Sequence, residues 1–198
     1  SRNAVWKAIK ALSEDGHSIE TVRSGGYRLA LDSPALNEFL IARCLREYGA
    51  VRLGRLLVVR DEVTSTNDLA KSLASEGAAD GSVVTADCQT AGKGRLGRTF
   101  VSPPQTGLYV SIILRPDCPL SEAVMMTAAA AAASAEAVEE MCGADVGIKW
   151  VNDLYLNGRK LCGILTEASF GLELKSLDYA VIGIGINVLS AKKALGND

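Results

Sequence analysis

Apolar residues recur at helical spacing at the start of the chain. Val5, Ile9 and Leu12 fall at i, i+4 and i+7, while Arg2, Lys7 and Lys10 take other faces, so an amphipathic helix is predicted over Arg2–Leu12. Alternation then replaces it in Ser18–Arg23 and Tyr27–Leu31, joined through Ser24-Gly25-Gly26, which reads as a β-hairpin. Asp32-Ser33-Pro34 breaks the pattern and marks a domain boundary. Beyond it, helical spacing returns over about 35–48. Strands are predicted at Leu56–Val63, Ser82–Cys88 and Gly107–Leu114. A short helix opens at the cap-rich Thr64-Ser65-Thr66-Asn67 and ends near Glu76-Gly77. One long helix runs over Ser121–Met141, with Ser121 as N-cap and an alanine-rich centre suited to close packing on a sheet.

The last part is strand-rich. Val146–Trp150, Asp153–Leu156, Lys160–Ala168 and Tyr179–Val188 suit strands, and Asn157-Gly158 is a strong two-residue hairpin signal. Consecutive hairpins favour antiparallel pairing, so the expected class is α+β rather than a doubly wound sheet.

Composition narrows the chemistry. Aromatics are 5% of the 198 residues, so the core must be aliphatic. The net charge of −2 excludes a general polyanion binder and makes any basic site local. Cys44, Cys88, Cys118, Cys142 and Cys162 are odd in number with no CxxC pair, which favours free thiols in a reducing, cytoplasmic setting. His17 is the single histidine, so a histidine-rich metal site and a Ser-His-Asp triad are both disfavoured. The most apolar run, Ala123–Ala135, is too short to span a bilayer.

Thr90–Phe100, TAGKGRLGRTF, holds Gly92, Gly94 and Gly97 among Lys93, Arg95 and Arg98. Glycines let backbone N–H groups approach an anion and the cations add charge-assisted donors, yet the Walker A spacing is absent. The bland alternative is a solvated basic loop. Thr64–Asn67 could cap a helix or bind a neutral polar ligand, with Gln89 a weak addition. Lys149-Trp150-Val151-Asn152-Asp153 could be an ion-paired turn, or a phosphate-binding lysine beside a carboxylate for proton handling. Arg159-Lys160-Leu-Cys-Gly163-Ile-Leu165 starts a strand with two cations, and Gly163 in it suggests close approach of something packed against the backbone. Gly183-Ile-Gly185-Ile-Asn187 lacks the third glycine of a dinucleotide fingerprint.

Taken in order, Ser65-Thr66-Asn67, Gln89, GKGRLGR, KWVND, KLCGIL and GIGIN resemble the motifs of biotin protein ligases over about Leu56–Val188. The resemblance implies an α+β fold with a mixed, largely antiparallel sheet flanked by helices, like class II aminoacyl-tRNA synthetases. It also implies a partial winged helix-turn-helix at 1–33, with Arg2, Asn3 and Lys7 facing operator DNA, and a catalytic domain at 34–198. The earlier helices of the winged domain and the family's C-terminal β-barrel have no counterpart here, so a central slice of a longer protein is expected.

The implied chemistry joins biotin to ATP as biotinyl-5′-AMP, then passes biotin to a lysine of a biotin carboxyl carrier protein. Arg95, Lys160, Lys149 and Asp153 would be catalytic. Ser65, Thr66, Asn67 and Gln89 would serve the ureido ring, with Gly92, Lys93, Gly94 and Arg95 over biotin and its acyl phosphate. Lys160 would contact the carboxylate, and Gly163, Leu165 and Gly185 would form an apolar floor. Arg98, Phe100, Lys149, Asn152 and Asn187 would face ATP, Phe100 near adenine, with Mg²⁺ entering alongside the nucleotide. No fixed protein metal site and no membrane partner are expected, and a homodimer is a further candidate assembly. Two alternatives stay open: a lipoate-type acyl-adenylating ligase, and a DNA-binding regulator using biotinyl-AMP as corepressor with little turnover. Lys93, Leu96 and Val151 depart from the family pattern, which favours Arg, Arg and Pro there.

Overall fold

The computed structural model describes residues 1–23, 25–30, 33, 35–117, 123–170 and 177–189. The expected Ser121 cap, parts of the Asp32–Pro34 break and Cys118 lie outside them.

The chain opens with helix α1 (Arg2–Glu14) and a two-stranded antiparallel hairpin, β1 (Ile19–Val22) and β2 (Gly26–Leu29). No residue of α1 is buried, and its Trp6 is 57% exposed. Helix α2 (Glu38–Glu47) follows, capped by the Asn37 side chain accepting from Leu40 N.

The remaining strands form one seven-stranded sheet. They are β3 (Leu57–Val63), β4 (Val83–Gln89), β5 (Gly107–Leu114), β6 (Gly147–Lys149), β7 (Asp153–Leu156), β8 (Arg159–Phe170) and β9 (Leu177–Asn187), in spatial order β3-β4-β5-β9-β8-β7-β6. Among the described residues only β3 and β4 pair in parallel, because helix α3 (Thr66–Ser75) carries the chain across between them. The other pairs are antiparallel, so the sheet is mixed and largely antiparallel, as expected. At the β7–β8 turn, Asn157 and Gly158 both take positive φ (50° and 74°), the conformation a tight two-residue hairpin needs.

Two helices cover opposite faces. Ala70 and Ala74 of α3 pack on Val84, Ile113 and Val181. Helix α4 (Ala123–Cys142) lays Ala131 and Ala135 against Leu154, Cys162, Ile164 and Ile182. The alanine-rich segment is therefore a closely packed helix, because a methyl side chain lets its backbone approach the sheet. Arg115 fixes the far end of α3 by donating to Ala74 O (2.6 Å) in its last turn, where a cation meets the helix C-terminus, and to Ala78 O (3.0 Å) just beyond it. Among the described residues no helix is long and apolar enough to cross a membrane.

Candidate active site

Strand register builds the floor of the site. Successive residues of a strand point to opposite faces, and the α3 side of β8 and β9 carries Gly163, Leu165 and Glu167 beside Gly185, Gly183 and Val181. Read across β7, β8, β9 and β5, one rung is Asp153–Gly163–Gly185–Tyr109. The next is Leu165–Gly183–Ser111, and the third Glu167–Val181–Ile113. Two adjacent glycines leave a bare patch of sheet backbone in the first rung, and a third lies one rung on. The glycine-rich patterns of β8 and β9 thus act together, as a pair across the ladder.

The patch is roofed from two directions. The Phe100 ring lies over it so closely that a Cβ on Gly185 would sit 2.6 Å from the ring, and one on Gly163 3.2 Å from it. The ring meets Tyr109 edge-on, with centroids 6.3 Å apart. The N-terminus of α3 supplies the rest. Ser65, Thr66 and Asn67 are at most 4% exposed, and a Cβ on Gly183 would sit 2.1 Å from Asn67 Oδ1.

Ser65 occupies the N-cap position of α3, yet its side chain makes no cap hydrogen bond. Gln89 Oε1 does that work, accepting from Thr66 N at 2.9 Å while lying 3.1 Å from Thr66 Oγ1. Gln89 Nε2 donates to Ser102 Oγ (2.8 Å). The capping reading of Thr64–Asn67 is thus displaced by a side chain from the neighbouring strand, which leaves the Ser65 hydroxyl to the pocket it lines. Ser111 Oγ lies 2.6 Å from Asn67 Oδ1 and 2.9 Å from Thr66 Oγ1. One wall is therefore a dense set of neutral donors and acceptors.

The opposite wall is charged. Arg95 Nη1 donates to Asn152 Oδ1 (2.7 Å), and Asn152 Nδ2 donates to Asp153 Oδ1 (2.8 Å). Lys160 Nζ also donates to Asp153 Oδ1 (2.8 Å). Arg95 and Lys160 enter from a loop and from a strand, and the Asn152-Asp153 pair ties them to one spot beside the glycine patch. Arg95 and Lys160 are both exposed residues, so the pair is open to an anionic partner. The adjoining Trp150–Val151 peptide is cis.

The glycine-rich loop is an ordered, hairpin-like excursion. Gly94 N donates to Arg98 O (2.7 Å), Phe100 N to Gly92 O (2.8 Å), and Gln89 N to Ser102 O (3.0 Å). Gly92 is buried where a Cβ would meet Phe100 O at 2.3 Å, so only glycine fits. Leu96 takes φ 56° and is 91% exposed. Lys93 turns outward to Asp68 Oδ1 (2.6 Å) on α3. Burial opposes it, but the Lys93 and Lys71 ammonium groups hold the Asp68 carboxyl below its ordinary value.

One pocket is thus lined by Ser65, Thr66, Asn67, Gln89, Lys93, Gly94, Arg95, Phe100, Asn152, Asp153, Lys160, Gly163, Leu165 and Gly185 among the sequence-predicted residues. Others fall elsewhere. Lys149 does not line this pocket; it ends β6, paired with Asp153 across the three-residue turn 150–152, and its ammonium lies 5.6 Å from the Tyr155 ring. Arg98 is exposed and lines neither this pocket nor its neighbour. Asn187 lines an adjoining cleft with Thr99, Val101, Leu156, Arg159 and Leu161, its Nδ2 donating to Lys160 O (3.2 Å). Phe100 and Lys160 are shared between pocket and cleft, so Phe100 stands at their junction rather than in the cleft alone. Arg2, Asn3 and Lys7 are exposed on α1. Sequence reasoning missed Ser111, Ser102, Lys71 and Glu167, which carry no local motif. The signal available was alternation: Glu167 continues the Gly163, Leu165 face by two residues.

Comparison with known proteins agrees with this geometry. The family model described as "Biotin/lipoate A/B protein ligase family" matches residues 59–187. The chain is 42% identical over 188 residues to the Bacillus subtilis bifunctional ligase/repressor BirA, covering 95% of this chain and 56% of that protein. The chain therefore spans little more than half the length of that relative. Among solved structures, the Leishmania major biotin protein ligase in complex with biotin aligns at a TM-score of 0.58, with 30% identity over 69% of this chain and 58% of its own. The Aquifex aeolicus biotin protein ligase in complex with biotin and ATP aligns at 0.54, with 33% identity over 69% of this chain and 53% of its own. On sequence, fold and the position of its motifs, the chain belongs to the biotin/lipoate A/B protein ligase family.

Proposed function

We propose that the protein is an ATP-dependent biotin protein ligase. The observation that carries this reading is the junction of two unlike walls over a side-chain-free floor. Neutral hydroxyls and amides of Ser65, Thr66, Asn67 and Gln89 face cations Arg95 and Lys160 across Gly163 and Gly185. A neutral cyclic urea needs donors for its carbonyl and acceptors for its two N–H groups. A saturated, apolar sulfur-containing ring needs an apolar floor, and a carboxylate needs the cations. Biotin has these three parts in that order.

In the first step a biotin carboxylate oxygen attacks the α-phosphorus of ATP, a new O–P bond forms, and pyrophosphate leaves. Both reactants are anions, so Arg95 and Lys160 would offset their repulsion and hold them in line. Mg²⁺ would enter with the ATP phosphates as part of the substrate. In the second step the amine of a carrier lysine attacks the acyl carbon, and AMP leaves with the bonding electrons. Asp153 would accept the proton lost by that amine once Lys160 shifts toward the acyl phosphate. The adjoining cleft, with Asn187 on its wall and Phe100 at its mouth, is assigned to the nucleotide. Lys149 and Arg98 would reach ATP only after the loops close.

The partner follows from the reaction: a biotin carboxyl carrier protein or domain, in the cytoplasm where ATP and free thiols coexist. Residues 1–33 are assigned to a partial winged helix-turn-helix and 34–198 to the catalytic domain. Operator binding by Arg2, Asn3 and Lys7, with biotinyl-AMP as corepressor, and a homodimer are further parts of this proposal. The first 31 residues carry five Lys or Arg against three Asp or Glu. A second reading, lipoate activation, is favoured by the breadth of the matched family, which spans both ligand types.

The test is formation of biotinyl-AMP from biotin and ATP, with lipoate in a parallel reaction. Biotin is expected to react and lipoate not. Arg95→Ala and Lys160→Ala should each lower the rate by about 10²–10³-fold with unchanged melting, since both side chains are exposed. Full activity in both folded variants would remove them from the mechanism, and turnover of lipoate alone would replace the substrate.

A further inference from the structure

The glycine-rich loop is held at its tip from two sides. Arg95 reaches the charged wall of the pocket through Asn152 (2.7 Å). Lys93, two residues earlier, reaches the neutral wall through Asp68 of α3 (2.6 Å). The base of the loop is fastened by backbone bonds, Ala91 N to Thr64 O (2.8 Å) and Phe100 N to Gly92 O (2.8 Å). The tip has no such cover, and its Leu96 is 91% exposed. Lys93, Gly94 and Arg95 all line the pocket, so the two side chains moor the loop across it.

The two moorings differ in what a ligand does to them. In the proposed first step Arg95 would leave Asn152 for the anionic reactants. The resemblance places Lys93 over biotin and its acyl phosphate as well, but the surroundings of its ammonium oppose that. Asp68 also lies 3.1 Å from Lys71, and Lys71 donates to Glu167 Oε1 at 2.6 Å. Lys93, Asp68, Lys71 and Glu167 thus form a line of alternating charge, two ammonium groups against two carboxylates, neutral as a whole. Taking Lys93 out of it would leave one uncompensated negative charge beside the pocket, where it would repel a carboxylate ligand. The far end of the line is fixed to the sheet. Glu167 lies one rung beyond Leu165 on the pocket face of β8, and its Oε2 accepts from Asn67 Nδ2 (2.8 Å).

We infer that Asp68 is a positioning residue that straps the glycine-rich loop to α3 through Lys93, and that the Lys93 charge serves this strap rather than the anion of the ligand. The inference rests on reading the pocket as a biotin site. A strap holds the tip over any occupant, whatever the occupant's charge. A cation that touched the carboxylate would instead discriminate by charge. The two roles give opposite signs for one variant. If Lys93 served the anion, Asp68→Asn would release it and tighten biotin. If Lys93 serves the strap, Asp68→Asn loosens the loop and weakens biotin.

Biotin and its neutral amide are titrated by calorimetry into the wild-type chain, Asp68→Asn, Lys93→Met and the double variant, with melting followed in each. Affinity for both ligands should fall about threefold in each single variant, the scale of an exposed ion pair. The double variant should lose no more, because a shared contact is lost only once. Trypsin digestion of the unliganded chains reads the loop itself. Cleavage after Arg95 and Arg98 should quicken about threefold in Asp68→Asn relative to the other cleavage sites. Unchanged or tighter biotin binding in Asp68→Asn, a loss in Lys93→Met confined to biotin, additive losses in the double variant, or unchanged loop cleavage would each overturn the inference. A wild-type chain that binds lipoate and no biotin would overturn the functional reading, while faster loop cleavage in Asp68→Asn of that same chain would still support the strap.

Discussion

The two faces of the seven-stranded sheet are made from the same strands and behave as different materials. Along β9, Ile182, Ile184 and Ile186 belong to the core under α4, while Val181, Gly183 and Gly185 alternate with them on the α3 side. Along β8, Cys162 and Ile164 join the α4 core while Gly163, Leu165 and Glu167 face the other way. The α4 face is closed with aliphatic side chains. On the α3 face only one end is closed that way, by Ala70 and Ala74, and the rest is left to glycine, hydroxyl and amide groups. One strand can therefore hold the fold and build the pocket, because period-two alternation separates the two duties at every residue.

Exchanging small changes between the faces should give opposite readouts. The largest effect is expected on the closed face. Ile164 is 2% exposed, and Ile164→Ala should cost about 2–5 kcal/mol of stability through lost burial and a cavity. Urea unfolding measures it, and a loss under about 1 kcal/mol would mean that this face is loosely packed. Gly185→Ala, one rung away on the open face, should do the reverse. Its new methyl would meet the Phe100 ring at 2.6 Å, displacing a half-buried ring that can shift. Biotin affinity should fall about tenfold or more, as overpacking costs about 1–3 kcal/mol, while urea unfolding moves less than in Ile164→Ala.

The smallest effect is electrostatic and sits at the rim of the open face. Asp68 links Lys93 to Lys71, but it is more than a third exposed, so solvent screening holds the value of the link below about 1 kcal/mol. Its carboxyl is held below the ordinary value of 3.8 in the folded chain. Its contribution is therefore complete above that value and is lost as pH falls through the lower folded value. Asp68→Asn should be slightly less stable than wild type at neutral pH, and the gap should close in acid. A gap that stayed constant with pH would assign the effect to something other than this charge.

Much of this contrast was legible in the chain. Strand alternation, the Asn157-Gly158 turn and the alanine-rich helix follow from local rules, and their elements fall within a few residues of expectation. The parallel β3–β4 pair needed the strand–helix–strand order to be weighed above the hairpin signals. Site residues carried by glycine or by a charged loop were also visible. What could not be read was how strands align. Gly163 beside Gly185 is a fact of register, as is Gln89 capping α3 in place of Ser65. Lys149 was expected at the phosphates on its motif alone, and its ammonium instead lies beside the Tyr155 ring, a contact that only the β6–β7 pairing creates. Ser111 and Glu167 escaped because both meet Asn67 of α3, a residue far from each of them in sequence.

The Phe100 ring over the two glycines has a calorimetric consequence. A ligand settling on that floor does not dehydrate bare backbone, since a phenyl group already keeps water from it. It exchanges one apolar contact for another, and the newly buried apolar area is smaller than the ligand's own surface. Because the heat-capacity change of binding tracks that area, the change on biotin binding should be less negative than the size of the ligand would suggest. Part of the affinity must then come from the fixed polar wall rather than from the release of water.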